Sequence, residues 1–505
     1  MDERFATRVE ADPAMPASPD NAASYKGTNA SGTNQLPLCV DLDGTLIKSD
    51  TLLDALCTVA RVQPSALLRL PGWLLRGKAA VKYELLTRAH LDAAQLPYNE
   101  SLVVYLREQA ALGRPLYLTT GADQSLAIHV AQHLGIFTGV LASDGAANLT
   151  GSRKLERIRS EFAGEAFAYV GNSRADLPLL HAAAQPMLAN PTLPLAATLP
   201  AQKLAIARVF RDRAPLRKTL RRTIRAHQWA KNVLIFLPLL LAHNLGPAKL
   251  LAALIAFFSF SLTASSTYIL NDLLDLSSDR AHPTKRRRPL AAGDMPVLAA
   301  MALGLALFAA GIALALLLPA SFLGWLLVYC VVTLAYSLYC KRVVIVDVII
   351  LSALYALRIL AGAAATGVPV SDWMAGFAIF FFFSLALVKR FSELENLRAR
   401  GATQSSGRGY MVHDMEQLRA FGTSSAFASI IVFALYINNP EVRLLYHHAG
   451  RLWLMTPLLI GWLSRIWLRA SRGQMNEDPV IFALTDPASL LVGVAMFLVA
   501  LSAAI

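Results

Sequence analysis

Beyond residue 231 the chain passes through nine apolar segments, at 232–246, 249–270, 296–317, 320–339, 344–366, 372–390, 418–437, 450–470 and 486–505. Most have the roughly 20-residue length that crosses a bilayer; the first is short. A lipid-exposed segment must satisfy its own backbone hydrogen bonds, which points to helices in this half of the chain. An all-α, polytopic membrane domain of about nine transmembrane helices is therefore expected over 232–505. Composition agrees, since only 16% of residues are charged where soluble chains carry about a quarter.

The loops set its orientation. One set holds Arg280 and Lys285 to Arg288, then Lys341 and Arg342, then Lys389, Arg390, Arg398, Arg400 and Arg408, then Arg469 and Arg472. The alternate loops near Asn244, Ala320 and Gly367 hold essentially none, and the one near Pro440 holds Arg443 and Arg451. Cationic loops stay cytoplasmic, so a multi-pass protein of the inner (cytoplasmic) membrane is expected, with its amino-terminal half on the cytoplasmic side. Much of the net charge of +13 thus marks topology and calls for no nucleic acid.

The first half reads differently. Residues 1–34, rich in Ala, Ser, Asn, Asp and Gly without periodicity, have the composition of a disordered tail, and no secretory signal is expected there. Residues 35–208 alternate short apolar runs with helical stretches, as a soluble α/β Rossmann-like domain does. Leu36–Val40, Leu116–Leu118 and Phe167–Val170 read as buried strands, and residues 51–110 as a small helical cap. A basic linker, suited to anionic headgroups, occupies 209–231. The four cysteines, Cys39, Cys57, Cys330 and Cys340, contain no CxxC pair and read as packed thiols.

In Val40-Asp41-Leu42-Asp43-Gly44-Thr45 two carboxylates share one side of a strand's carboxyl end, where open α/β sheets bind ligands. Such an aspartate can attack phosphorus while the second moves protons, with a magnesium ion offsetting the repulsion between anions. Leu118-Thr119-Thr120-Gly121 supplies hydroxyls, Lys154 a point charge, and Gly171-Asn172-Ser173-Arg174-Ala175-Asp176 a further carboxylate and a supporting amide. Residues 36–195, with four elements in this order, resemble the haloacid dehalogenase superfamily of phosphatases. The resemblance implies Asp41 as nucleophile, Asp43 as acid and base, Thr120 (or Thr119) and Lys154 as phosphate contacts, and Asp176 as magnesium ligand beside Asp41 and Asp43. Asn172 stands where many members have Asp, removing a charge but keeping an oxygen. A catalytically inert scaffold is the alternative.

After the second apolar segment comes Asn271-Asp272-Leu273-Leu274-Asp275-Leu276-Ser277-Ser278-Asp279-Arg280, then His282-Pro283-Thr284-Lys285-Arg286-Arg287-Arg288-Pro289. On a continuing helix Asn271, Asp275 and Asp279 recur every four residues with Asp272 beside them. Acidic groups at a membrane boundary need a cation or a partner, and magnesium holding a diphosphate is the natural occupant. This block, and about residues 215–505 around it, resemble the UbiA prenyltransferase superfamily. Aromatic prenyltransferases of that superfamily carry a second aspartate-rich motif at the end of the sixth span; here that place reads Lys389-Arg390-Phe391-Ser392-Glu393. Cations there suit a terminal phosphate monoester.

The Arg225-to-Asn232 block (with His227, Gln228 and Lys231), Tyr336 through Lys341, Asp347 with Arg358, and Met475-Asn476-Glu477-Asp478-Pro479 are similar to the polyprenyl-phosphate phosphoribosyltransferase branch. That resemblance implies a reaction: phosphoribosyl diphosphate gives 5-phosphoribose to a polyprenyl phosphate. Asn271, Asp272, Asp275 and Asp279 would hold magnesium and the leaving diphosphate, and Lys389, Arg390 and Glu393 the 5-phosphate end. Lys231, Lys285 and Arg288 would serve the diphosphate or the lipid phosphate, with Gln228, Tyr336, Lys341 and Arg358 as further substrate contacts. The amino-terminal phosphatase would then remove the 5-phosphate. Two other functions fit the same hydropathy: an aromatic-acceptor polyprenyltransferase with an appended phosphatase, and a non-catalytic lipid-phosphate carrier.

Overall fold

The computed structural model describes residues 35–143, 149–243, 245–399, 401, 408–475 and 478–505. The tail over 1–34, the loop residue Asn244, the cation Arg400, and Asn476 and Glu477 lie outside them. The described residues fall into two compact units, residues 35–56 with 65–213, and residues 57–64 with 214–505.

The first unit is built on a six-stranded parallel sheet of β1 (Leu38–Val40), β2 (Leu116–Asp123), β3 (Gly139–Ser143), β4 (Ala168–Gly171), β5 (Gln185–Ala189) and β6 (Arg208–Phe210), ordered β3-β2-β1-β4-β5-β6. Val40, Leu118 and Val170 pack into one helical layer while Cys39, Tyr169 and Leu188 pack into the other. A parallel sheet is covered on both faces, which is why its strands read as uninterrupted apolar runs. Three of these strands were not singled out from sequence, because their apolar runs are short.

Between β1 and β2 lies the expected helical insertion, with helices Thr51–Val62, Leu70–Leu75 and Lys78–Ala89. Its end differs from the expectation: the helix Glu100–Ala111 buries Leu102, Val103 and Leu106 in the sheet's own core. Trp73 is buried, with the Arg88 guanidinium 5.0 Å from its ring.

The second unit is all-helical. Seven helices among its described residues are long and apolar enough to cross a membrane: Pro247–Leu274, Val297–Ala315, Ala320–Leu338, Val346–Thr366, Asp372–Arg398, Val412–Asn438 and Pro487–Ala504. The shortfall from nine lies in two places. The first expected span is broken into a 3₁₀ stretch, Ala226–Phe236, and a five-residue helix, Leu237–Leu241. The eighth is the helix Met455–Ser471, of only 17 residues.

Small and polar residues join the helices. Ser384 donates to the Gly422 carbonyl at 2.8 Å and accepts from the Trp467 indole at 3.1 Å, while Ser259 donates to the Gly311 carbonyl at 2.7 Å. Lipid provides no hydrophobic drive between helices, so close backbone approach and such bonds hold them together. The tightest approach of backbone to backbone among the described glycines is at Gly362, where an added Cβ would lie 2.1 Å from the Ile235 carbonyl oxygen. Both partners there are backbone, and relief requires moving the 226–236 stretch. Gly362→Ala is therefore expected to cost about 1–3 kcal/mol, seen as earlier loss of monodispersity when the detergent-solubilised protein is heated; unchanged heat stability would contradict this packing.

Candidate functional sites

In the first unit, Val40 pairs with Leu118 on one side and Val170 on the other, so the carboxyl end of β1 lies between β2 and β4. Asp41 and Asp43 leave β1 at that edge, at the reversal of strand order that open α/β sheets use for ligands. Lys154, from the helix Ser152–Glu161, donates to Asp41 Oδ1 at 2.7 Å and lies 3.9 Å from Asp176 Oδ1. The two carboxylates thus converge on one cationic nitrogen. Asp176 also accepts from the Asn172 and Ser173 amides and from Ser173 Oγ, which fixes its turn. Gly44, at φ +72°, is needed here because a Cβ would lie 2.0 Å from Asn172 Nδ2. Thr119 donates to the Val40 carbonyl, and the Thr120 hydroxyl accepts from the Ala122 amide.

Sequence reasoning passed over Tyr169, whose hydroxyl donates to Asp176 at 2.8 Å and stands 3.3 Å from Lys154 Nζ. Its one signal was an aromatic two residues before Gly171, where a Cβ would lie 2.8 Å from the Tyr169 ring and from Asp176.

Burial pushes the Asp41 carboxyl up to about 6 against the pull of Lys154. Burial and the nearby Asp50 push Asp43 up to about 7, opposed by the Thr51 amide that donates to it at 2.8 Å. A carboxyl held near neutrality is suited to giving and taking a proton.

In the second unit the acidic block is nearly one helix: Asp275 N–H donates to the Asn271 carbonyl and Asp279 N–H to that of Asp275, although the regular helix ends at Leu274. The side chains do not form the expected four-membered ladder. Arg288 Nη1 lies 3.0 Å from Asp272 Oδ1 and 2.6 Å from Asp279 Oδ2, bridging the two. Arg225 also binds Asp272, and its guanidinium lies 5.3 Å from the Tyr268 ring. Asp275 turns to Lys341, at 2.7 Å, and Asn271 lines a 430 Å³ apolar groove with Thr333 and Ser337. Lys285 is exposed, as are Arg286 and Arg287, and Gln228 is half-buried in the 3₁₀ stretch.

Among the described residues no three His, Cys, Asp or Glu side chains gather as a ready metal cluster. Asp41 with Asp176, and Asp272 with Asp279, each face a single cationic atom, and these are the carboxylate pairs that could hold a divalent ion.

A second polar centre forms where Lys231, Lys389 and Asp478 meet. Asp478 Oδ2 accepts from Lys231 Nζ at 2.6 Å and from Lys389 Nζ at 2.9 Å, and Oδ1 accepts from the Tyr355 hydroxyl at 3.2 Å. Burial alone would raise the Asp478 carboxyl, but Lys389 and Lys231 hold it well below the usual range. Arg358 donates to Asn232 Oδ1 at 2.9 Å, and the Tyr355 ring lies 5.5 Å from Arg358 and 5.6 Å from Lys231. Tyr355 was not anticipated, and Asp478 was singled out only within the Met475-to-Pro479 block, without a partner. Asp478 stands before Pro479, which reads as a helix cap and gives no hint of long-range pairing.

The structure separates Lys389 from its neighbour. Arg390 is 1% exposed; its Nε binds Asp347, its Nη1 binds Glu393 at 2.8 Å, and its Nη2 donates to Tyr336 at 2.9 Å. Arg408 adds to Glu393, and the Tyr410 hydroxyl to Asp347. Arg390, Glu393 and Tyr336 thus form an internal network where phosphate contacts were expected, and Asp347 pairs with Arg390 while Arg358 pairs with Asn232.

The model of the UbiA prenyltransferase family matches residues 232–501. The uncharacterized protein y4nM of Sinorhizobium fredii is 39% identical over 463 residues, 91% of this chain and 89% of that protein, so the match runs through both units. The nodulation protein NoeC of Azorhizobium caulinodans is 33% identical over 54% of this chain and 90% of its own length. A decaprenyl-phosphate phosphoribosyltransferase of Mycolicibacterium smegmatis is 34% identical over 43% of this chain and 69% of its own.

Two outcomes are expected. Arg390→Lys leaves buried acceptors unfilled and lowers heat stability by about 3–5 kcal/mol, whereas Lys389→Met causes the smaller loss in the same thermal scan. The raised Asp41 and Asp43 carboxyls stabilise the fold below the unfolded value of about 3.9 and lose that contribution as pH rises through about 6 and about 7. With a chelator present, Asp43→Asn should therefore unfold at higher temperature than the parent at pH 8 and match it at pH 4; a gap equal at both would refute the shift.

Proposed function

The chain belongs to the UbiA prenyltransferase family, and from that membership we propose that its membrane unit transfers 5-phosphoribose from phosphoribosyl diphosphate to a polyprenyl phosphate. The observation that carries this reading is the presence of two centres with cationic donors, one where Arg288 and Arg225 meet Asp272 and Asp279 and one where Lys231 and Lys389 meet Asp478 beside Tyr355. A donor bearing both a diphosphate and a phosphate monoester needs two anion sites, whereas a prenyl diphosphate needs one. The name of the Mycolicibacterium relative, a decaprenyl-phosphate phosphoribosyltransferase, favours the same donor and acceptor.

Asp272 and Asp279 would hold magnesium, which when bound supplies positive charge to the leaving diphosphate. Arg288, Arg225 and Lys341 neutralise further phosphate oxygens. The bond from the anomeric carbon to the diphosphate oxygen breaks, and one to a lipid phosphate oxygen forms. That oxygen is already ionised at neutral pH, so no base is needed. Lys389 and Lys231 hold the 5-phosphate, and Arg390 positions the helix that carries Lys389.

The product carries a 5-phosphate, and the first unit offers the residues of a phosphomonoesterase. Asp41 would attack phosphorus while Asp43 protonates the departing sugar oxygen; a water then releases phosphate from Asp41 with Asp43 as base. Lys154 and Thr120 hold the phosphate oxygens. Tethering raises the effective concentration of the second site, to the millimolar range for a short flexible linker. The cationic loops favour placing both reactions at the cytoplasmic side of the inner membrane.

The test incubates the purified protein with labelled phosphoribosyl diphosphate, a polyprenyl phosphate and magnesium. Label should enter lipid with the parent and fall by about 100-fold or more in Asp272→Asn. In Asp41→Asn the lipid product should keep its terminal phosphate. Identical dephosphorylated product from both would refute the coupling, and product from 4-hydroxybenzoate with polyprenyl diphosphate would favour the aromatic-acceptor reading.

A further inference from the structure

Asp478 holds a position that a carboxylate rarely occupies without consequence. It is the shared acceptor of two lysines and a tyrosine hydroxyl, at 2.6, 2.9 and 3.2 Å. Lys231 is 8% exposed and sits with Arg358 around the Tyr355 ring, so three positive charges meet one negative charge. Two lysines with a hydroxyl form a donor set that fits the oxygens of a phosphate monoester as well as those of a carboxylate, and a phosphate dianion would draw them more strongly. We infer that Asp478 is an internal competitor of the substrate's phosphate: it occupies the Lys231–Lys389–Tyr355 seat at rest and yields it to an incoming phosphate group.

The backbone around Asp478 favours such an exchange. Its Oδ1 also accepts from the Val480 amide at 3.1 Å, capping the helix Pro479–Thr485. On leaving the lysines the side chain keeps a partner close by in sequence, while Lys231 and Lys389 come from other elements of the unit and stay in place. The vacated seat then carries a higher positive charge at the moment the phosphate arrives. A tethered carboxylate also keeps the buried Lys231 and the half-buried Lys389 paired when no substrate is present, which lowers the cost of enclosing the Lys231 charge. A carboxylate that instead served to aim the lysines at the phosphate would have the opposite effect on affinity.

Identifying the phosphate with the 5-phosphate of the donor rests on the proposed transferase reaction; the exchange itself does not. The experiment therefore measures binding of inorganic phosphate to the full-length detergent-solubilised protein by calorimetric titration, without turnover. Asp478→Asn and Asp478→Ser both remove the charge and keep a helix-capping acceptor. Each should bind phosphate roughly tenfold more tightly than the parent, about 1.4 kcal/mol, and Lys389→Met added to Asp478→Asn should abolish the gain. Equal or weaker binding in two folded variants overturns the inference. Failure of lipid labelling with the phosphate result intact would remove only the assignment to the donor.

Discussion

A single guanidinium, that of Arg288, stands between Asp272 and Asp279, and the charge balance of the acidic block depends on that arrangement. Two buried carboxylates at the edge of a bilayer repel each other and resist desolvation, so they persist only around a cation. The protein supplies that cation itself, with Arg225 and Lys341 completing the charge balance around the acidic block. The result is a set of converging carboxylate oxygens held in place by the protein's own cations.

The same logic recurs in the parallel-sheet unit, where Lys154 lies between Asp41 and Asp176, and at Asp478 with its two lysines. In each case carboxylates are paired with a cation of the protein itself. Unpaired, these groups would be costly to bury.

Adjacent cations in one helix need not share a duty. Lys389 and Arg390 are about 100° apart around their helix, and so Lys389 reaches Asp478 while Arg390 is enclosed by Asp347, Glu393 and Tyr336. The planar fork of an arginine suits three fixed acceptors, whereas a lysine's flexible stem suits an exchangeable partner. Neighbouring basic residues of the membrane half thus serve different pairings, one enclosed in a network between helices and one at the Asp478 centre.

Hydropathy and local motif were enough to locate the membrane half, the parallel-sheet half, the paired aspartates after β1 and the acidic block, because each is written in neighbouring residues and depends on period or spacing. The broken 226–241 segment escaped that reading because composition reports apolarity and not hydrogen-bond pattern. Pairing was decided only by tertiary structure. Asp478 lies 247 residues from Lys231 and 89 from Lys389, Arg225 lies 47 from Asp272, and Tyr355 joins from a further helix. Charge attraction carries no memory of sequence distance, so which carboxylate takes which cation is settled by how the helices pack.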